Sequence, residues 1–268
     1  MKVLALSLGI ALFGSLRVCS SKDAAPSGAA SGNAAATASA TVEASAKIAE
    51  AAPRIGGSVV LVGDHSVELK LHQSGSIEAL VSNAAGELVS GDATLSVTAA
   101  TEGGGREATK LAFSMPHGRF EGKCKGKLAP GRADIGLEAE GKAAKGAIEN
   151  AVVVRGPELG GSVLVAGGHS AELFVRPSGE VLGFVRDRAG ADLKGDGNLD
   201  VKAKVRTSAG ATEDVELVFE PPRGCFAGKA KGELAPGPVE LGIAAKGEAS
   251  AGLGRLEKIS FLADAAHG

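Results

Sequence analysis

The stretch GGSVVLVGDHSVEL at 56–69 returns 104 residues later as GGSVLVAGGHSAEL, and the residue in it with the readiest chemistry is the histidine. His65 and His169 are the only histidines that recur at matching positions. A neutral imidazole there is either a metal ligand or a buried ring that hydrogen-bonds the turn before it. Alternation in HSVELKL puts His65 on one side with Val67, Leu69 and Leu71, and Glu68 on the other; His169 and Glu172 repeat the arrangement. No second ligand therefore stands at the same face of the strand, and His72 and His117 are replaced by Arg176 and Arg223 in the second copy. These residues favour the buried ring, bonded to backbone at its turn with no carboxylate close by. A metal site at His65 and His169 stays open as the alternative.

Cysteines and lysines carry the other candidate chemistry. Cys124 in GRFEGKCKGKLAPG (118–131) and Cys225 in GCFAGKAKGELAPG (224–237) occupy non-equivalent positions of the two copies. Alternation places Cys124 inward with Phe120 and Leu128, and Cys225, one residue before Phe226, outward as an exposed thiol; no disulfide is expected. Lys123, Lys125 and Lys127, with Lys229 and Lys231 in the second copy, form an outward ladder. Such a ladder serves as an anion or acidic-partner patch, or as lysines on an edge strand that discourage sheet-to-sheet association. Nucleophile elbow, phosphate loop and HExxH motifs do not occur, so the expectation is a protein that is not an enzyme and needs no cofactor.

The chain opens with Lys2 and an apolar run of 14 residues at 3–16, shorter than the roughly 20 that span a membrane as a helix. Leu16 stands three residues before Cys19, which resembles the bacterial lipobox, although Arg17 and Val18 depart from its small-residue pattern. The resemblance implies a signal peptide at 1–18 and acylation of Cys19. Residues 19–52 are mostly Ala, Ser, Gly and Thr, a composition expected of a flexible tether. The membrane, reached through the lipid, is then one partner and other envelope proteins are a second. With a net charge of −2 and neither Trp nor Tyr, the chain offers no basic field and few stacking platforms, so nucleic acid is not expected.

The elements that must position these residues are strands. The two copies match at nine of 16 positions over 56–71 and ten of 14 over 118–131. The offset grows from 104 to 106, and the Gly-rich hairpin loop at TEGGGREA, with its counterpart TSAGATED, is the expected place for the two extra residues. Period-two runs punctuated by GD, QSG, NAAG and LAPG turns recur about eight times in each copy. This predicts an all-β protein: two tandem antiparallel β-sandwich domains, at 56–155 and 160–262, linked near Gly156-Pro157.

GGxVxxxGxHxxEL followed by a Gly turn and a strand such as GEVLGFVRDRAG resembles the small β domain of bacterial exported proteins of metal-handling context, including segments preceding some heavy-metal efflux periplasmic adaptors. The resemblance implies an envelope role near metal handling, without the coiled-coil hairpin and lipoyl-type halves of an adaptor. The function expected is a non-enzymatic cell-envelope lipoprotein that serves as an interaction or binding module. Its alternative is a periplasmic metal-binding or metal-buffering protein linked to heavy-metal efflux. If Cys19 carries the anchor, Cys19→Ser moves the protein from the membrane fraction to the soluble fraction on cell fractionation; unchanged partitioning counts against lipidation.

Overall fold

The computed structural model describes residues 53–195, 197–246, 251–259 and 261. The leader, the tether and Cys19 lie outside the described residues. Every element within them is a strand, and the chain is all-β. The first repeat carries β1 (Ser58–Val62), β2 (His65–His72), β3 (Ser76–Ser82), β4 (Thr94–Ala100), β5 (Arg106–Ser114), β6 (Arg119–Lys123), β7 (Gly131–Ala139), β8 (Lys142–Ala151) and the short β9 (Val153–Val154). The second carries β10 (Ser162–Ala166), β11 (His169–Val175), β12 (Glu180–Arg186), β13 (Leu199–Arg206), β14 (Thr212–Glu220), β15 (Cys225–Lys229), β16 (Val239–Ala245) and β17 (Gly252–Leu256).

Strand order is β1-β2-β3-β6-β5-β4-β7-β8 in the first repeat and β10-β11-β12-β15-β14-β13-β16-β17 in the second. All of these pairings are antiparallel; β9 pairs in parallel with the end of β2, and an isolated parallel bridge joins Val175 at the end of β11 to Phe261. In the first repeat β5 joins the two layers, because Arg106–Leu111 pair with β4 whereas Ala112–Ser114 pair with β6. A strand that changes layers in this way makes a corner and leaves each repeat close to a barrel. Alternating residues fill the interior: Val67, Leu69, Ile77, Leu95, Val97, Phe120 and Ile135 in one core, and Ala171, Leu173, Val181, Val201, Phe226 and Leu241 in the other. A separate small cluster, Val152, Val154, Val163 and Val165, lies between the two.

Register relocates the two-residue difference between the copies. Both β4–β5 and β13–β14 hairpins close with the same turn, Thr101 N to Gly105 O at 3.0 Å and Thr207 N to Ala211 O at 2.8 Å. Leu95 faces Leu111 where Val201 faces Leu217, so the extra residues precede these strands. They lie between Asp192 and Val201, in the connection that runs from Leu88 to Leu95 in the first repeat. The shared GDxxL at 91–95 and 195–199 hides the shift in sequence, because it aligns residues that the ladders place two positions apart.

The strand that bears the repeated motif departs from simple alternation. All of β2 from His65 to Leu71 is buried, and so are Ser170 to Val175 of β11. The outward residue at the centre of each is Glu68 or Glu172, and its carboxylate is satisfied by backbone. Glu68 accepts N–H bonds from Arg54 (2.6 Å), Ile55 (2.9 Å) and Gly57 (2.7 Å). Glu172 accepts them from Glu158 (3.1 Å), Leu159 (3.0 Å) and Gly161 (2.8 Å). Residues 54–57 and 158–161 are thereby held as straps across the outer face of the sheet. The double glycine of the motif follows from this. Gly56 and Gly160 have φ of 77° and 85°, and a Cβ on Gly57 or Gly161 would lie 2.6 Å or 2.7 Å from the carbonyl oxygen of Leu69 or Leu173.

Burial pushes the Glu68 carboxyl above its ordinary value despite the three amides that favour its charge. With the folded value raised, the protonated form is the one favoured by folding, so this group adds stability as pH falls through that value and loses it as pH rises. The amides of Glu172 give a simpler test. Glu172→Gln keeps the shape but turns one acceptor oxygen into a donor facing N–H groups, which should lower stability by about 1–3 kcal/mol. Urea unfolding followed by far-ultraviolet circular dichroism, the convenient probe in a chain without Trp or Tyr, measures it.

Candidate binding cleft between the repeats

The first strap lies between the copies. On one side Glu68 and Lys70 of β2 hold it; on the other, Gly56 O accepts from Val165 N (2.8 Å), Arg54 O accepts from Glu257 N (3.1 Å), and Ile55 bridges Leu256. Lys70 completes the junction. Its side chain is 8% exposed, and its Nζ donates to Ile55 O at 3.1 Å and to Val163 O, in the other repeat, at 2.6 Å. Desolvation pulls the Lys70 ammonium below the usual lysine range, against the attraction of Glu78 and Glu68.

Beside this junction a cleft of about 560 Å³ opens between the repeats, with Lys70, Leu80, Leu88 and Arg119 on one wall and Val163 and Leu256 on the other. Its floor is ionic. Glu78 lies 3.4 Å from His72 Nε2 and 3.5 Å from Arg119. His72 first, then Arg119, hold Glu78 below the usual carboxylate range in spite of its burial. Arg119 also donates to Glu121 at 2.8 Å, and His117 Nδ1 contacts the same carboxylate oxygen at 2.8 Å. Arg54 pairs with Glu257 across the junction at 3.6 Å. Such a surface, part apolar and part fixed charge, suits recognition rather than bond making.

The same face of the second repeat has different chemistry. Positions equivalent to Lys70, Glu78, Leu80, Arg119 and Glu121 hold Phe174, Leu182, Phe184, Cys225 and Ala227. Phe174 and Phe184 meet edge to face with centroids 5.8 Å apart. The structure corrects the expectation of an exposed thiol. Cys225 does point away from the core of Phe226, but it stands opposite Glu220 and beside the Arg223–Glu180 pair, is 1% exposed, and burial pushes its thiol up. Cys124 is buried as expected, and both cysteines are free.

The histidines separate. His65 is 5% exposed, but its Nδ1 lies 3.0 Å from Asp64 Oδ1 rather than on a backbone group, and its Nε2 is buried without a hydrogen-bond partner. The carboxylate is near because the tight turn at Gly63-Asp64 sets the aspartate beside the first strand residue. In the second repeat Gly168 takes the place of Asp64, and His169 is half-buried. Among the described residues, no group of three or more His, Cys, Asp or Glu side chains is placed to hold a metal ion.

All five lysines of the candidate patch are exposed. They do not form an edge ladder, because β6 runs between β3 and β5 and ends at Lys123, and β15 runs between β12 and β14 and ends at Lys229. Lys125, Lys127 and Lys231 lie in the following turn. Glu107 accepts from Lys125 N (2.7 Å) and Gly126 N (3.1 Å), and Glu213 accepts from Lys231 N (2.7 Å). These backbone bonds hold Glu107 below the ordinary carboxylate value. Sequence reasoning missed the most informative residues, Glu68, Glu172 and Lys70. A recurrent Glu that follows a recurrent Gly-Gly by eleven residues was the available signal for the first two, and nothing comparable marked Lys70, which has no lysine counterpart.

No protein-family model matches the chain, and no curated protein matches it. Among solved structures it is similar to the Escherichia coli adhesin FdeC, at 13% identity and a TM-score of 0.22 over 74% of this chain and 65% of that one. It is also similar to a tetra-tandem repeat in the extending region of a large adhesion protein, at 14% identity and a TM-score of 0.22 over 72% and 49%. A third is domains 4–9 of the surface layer protein SbsC, at 12% identity and a TM-score of 0.20 over 78% and 32%. The chain spans less than two thirds of the length of each.

Lys70 allows the junction to be tested apart from the repeats. Lys70→Met keeps the buried methylenes and removes both bonds to carbonyl oxygens, one of them across the junction. The expected result is little change in the circular dichroism spectrum and a larger radius of gyration in small-angle X-ray scattering. An unchanged radius would mean that the strap and the valine cluster hold the repeats without Lys70.

Proposed function

We propose that the chain is a non-enzymatic interaction module held outside the cytoplasm by a lipid on Cys19, and that the cleft between the repeats receives its partner. The observation that carries this reading is the Lys70 Nζ bond to Val163 O, which ties the two walls of the cleft to each other. A cleft with preset walls loses less entropy on binding than one that must assemble, and its volume falls within the range of about 300–1,000 Å³ common to ligand sites. The cations at its rim, Arg54, Arg119 and Lys258, with Glu78 and Glu257 as counter-charges and Leu80 and Leu88 as apolar contacts, favour an acidic segment of an envelope protein.

The second reading, a metal-binding or metal-buffering protein, draws on the resemblance of the repeated motif and on the unpartnered Nε2 of His65. Asp64 beside the same ring supplies one further donor, short of the three or four protein ligands a tight zinc site uses. Two measurements decide between the readings. A photo-crosslinking residue at Leu88, 49% exposed at the cleft, should capture an envelope protein in cells, with at least several-fold less capture when Arg119→Glu is added. Calorimetric titration with zinc and copper should give no stoichiometric binding. Micromolar or tighter binding that is lost in His65→Gln would establish the metal reading instead.

A further inference from the structure

The junction between the repeats is directional. The strap of the first repeat enters a socket on the second, formed where β10 and β17 run side by side: Val165 N, Leu256 and Glu257 N receive Gly56 O, Ile55 and Arg54 O. Each repeat, however, carries both a strap and a socket. The second strap is Glu158–Gly161, and the first socket is the corresponding meeting of β1 and β8, where Leu61 matches Val165 and Ile148 matches Leu256.

Among the described residues, burial shows which pair is used. Val163, Val165 and Leu256 are 7%, 3% and 7% exposed in the occupied socket, whereas Val59, Leu61 and Ile148 are only partly buried in the other. Ile55 is partly buried against Leu256, whereas Leu159 at the same place in the second strap is 58% exposed. The backbone repeats the pattern. β1 and β10 have the same register with their partners, so Leu61 N points away from β2 as Val165 N points away from β11 towards Gly56 O.

We propose that the open strap of the second repeat docks in the open socket of the first repeat of another copy of this chain, so that molecules associate head to tail. The contacts would copy the internal junction: Leu159 on Ile148, Gly160 O accepting from Leu61 N, and Phe174 in place of Lys70 against Val59. Because strap and socket are different surfaces, the contact is heterologous and does not close at two molecules. One internal feature is not copied. The Arg54–Glu257 pair becomes Glu158 facing Glu149. Each of these carboxylates has its own cation, Arg132 on Glu149 at 2.7 Å and Arg186 and Arg155 on Glu158 at 3.2 Å and 3.6 Å. Apolar contact therefore carries the docking, and added salt strengthens it by screening the facing carboxylates. Without the linker that raises the effective concentration of the internal junction, association is weak. On the reading proposed above, anchoring of many copies on one membrane raises their local concentration.

The test is sedimentation of the full chain as its Cys19→Ser form, from about 10 µM to 1 mM. The expected result is a sedimentation coefficient that keeps rising with concentration past the dimer and rises further in salt. Leu159→Asp, at an exposed position, and Leu61→Asp should each remain monomeric across the range. A mixture of the two variants should form dimers only, since each keeps the surface that the other has lost. Circular dichroism establishes that Leu61→Asp is folded; if it is not, Val59→Glu takes its place. A monomer throughout, as expected if another segment of the same chain fills the socket, would overturn the proposal. So would an association that stops at two molecules, or one unaffected by Leu159→Asp.

Discussion

Three backbone N–H groups converging on one buried carboxylate hold each repeat in its working shape. A strap of backbone laid over a sheet face has no ladder of its own to satisfy it, and unpaired amides beneath it would be costly. Glu68 and Glu172 meet that demand, and in doing so they hold residues 54–57 and 158–161 against the outer face of β2 and β11. The double glycine, the turn and the glutamate that recur in the repeated stretch are parts of this one device. The strap then carries the junction, because its opposite side is what β10 and the end of β17 bind.

The two repeats share their cores and differ on their outer faces. Inward positions are apolar in both, as packing requires, and the pairing of strands is the same in both. Outward positions on the strands beneath the straps are free to vary, and there Lys70, Glu78, Arg119 and Glu121 of one repeat stand against Phe174, Leu182, Cys225 and Ala227 of the other. One duplicated scaffold thus presents an ionic surface at the junction and an apolar one at its far end.

Lys70 illustrates how a single divergent residue changes the relation between copies. A buried ammonium is disfavoured unless its donors are met, and here carbonyl oxygens from the strap and from the second repeat meet two of its three. The bond across the junction has meaning only in a tandem, since Val163 O belongs to the second repeat. The valine cluster of Val152, Val154, Val163 and Val165 adds apolar contact between the two cores. Together these contacts make the cleft a property of the pair and of neither repeat alone.

Much of this was legible in the residues. Period-two alternation, turn glycines and the repeat itself established an all-β chain with two similar units, because side-chain direction along a strand is a local property. The inward direction of Cys124 was readable for the same reason. Local alternation does not say what lies over the outward face: it predicts an exposed thiol at Cys225, which is 1% exposed beside the Arg223–Glu180 pair. Nor could it say that β6, which bears Lys123, runs mid-sheet, since strand order depends on long-range pairing. The position of the two-residue difference was misplaced because identical letters at GDxxL outweighed a register that only the ladders reveal. Glu68 was correctly placed on the face opposite His65, yet its role depended on a strap eleven or more residues earlier in the chain. Which face a residue occupies was determined by the sequence; what covers that face was decided by tertiary structure, because burial and hydrogen-bond partners there come from segments distant in the chain.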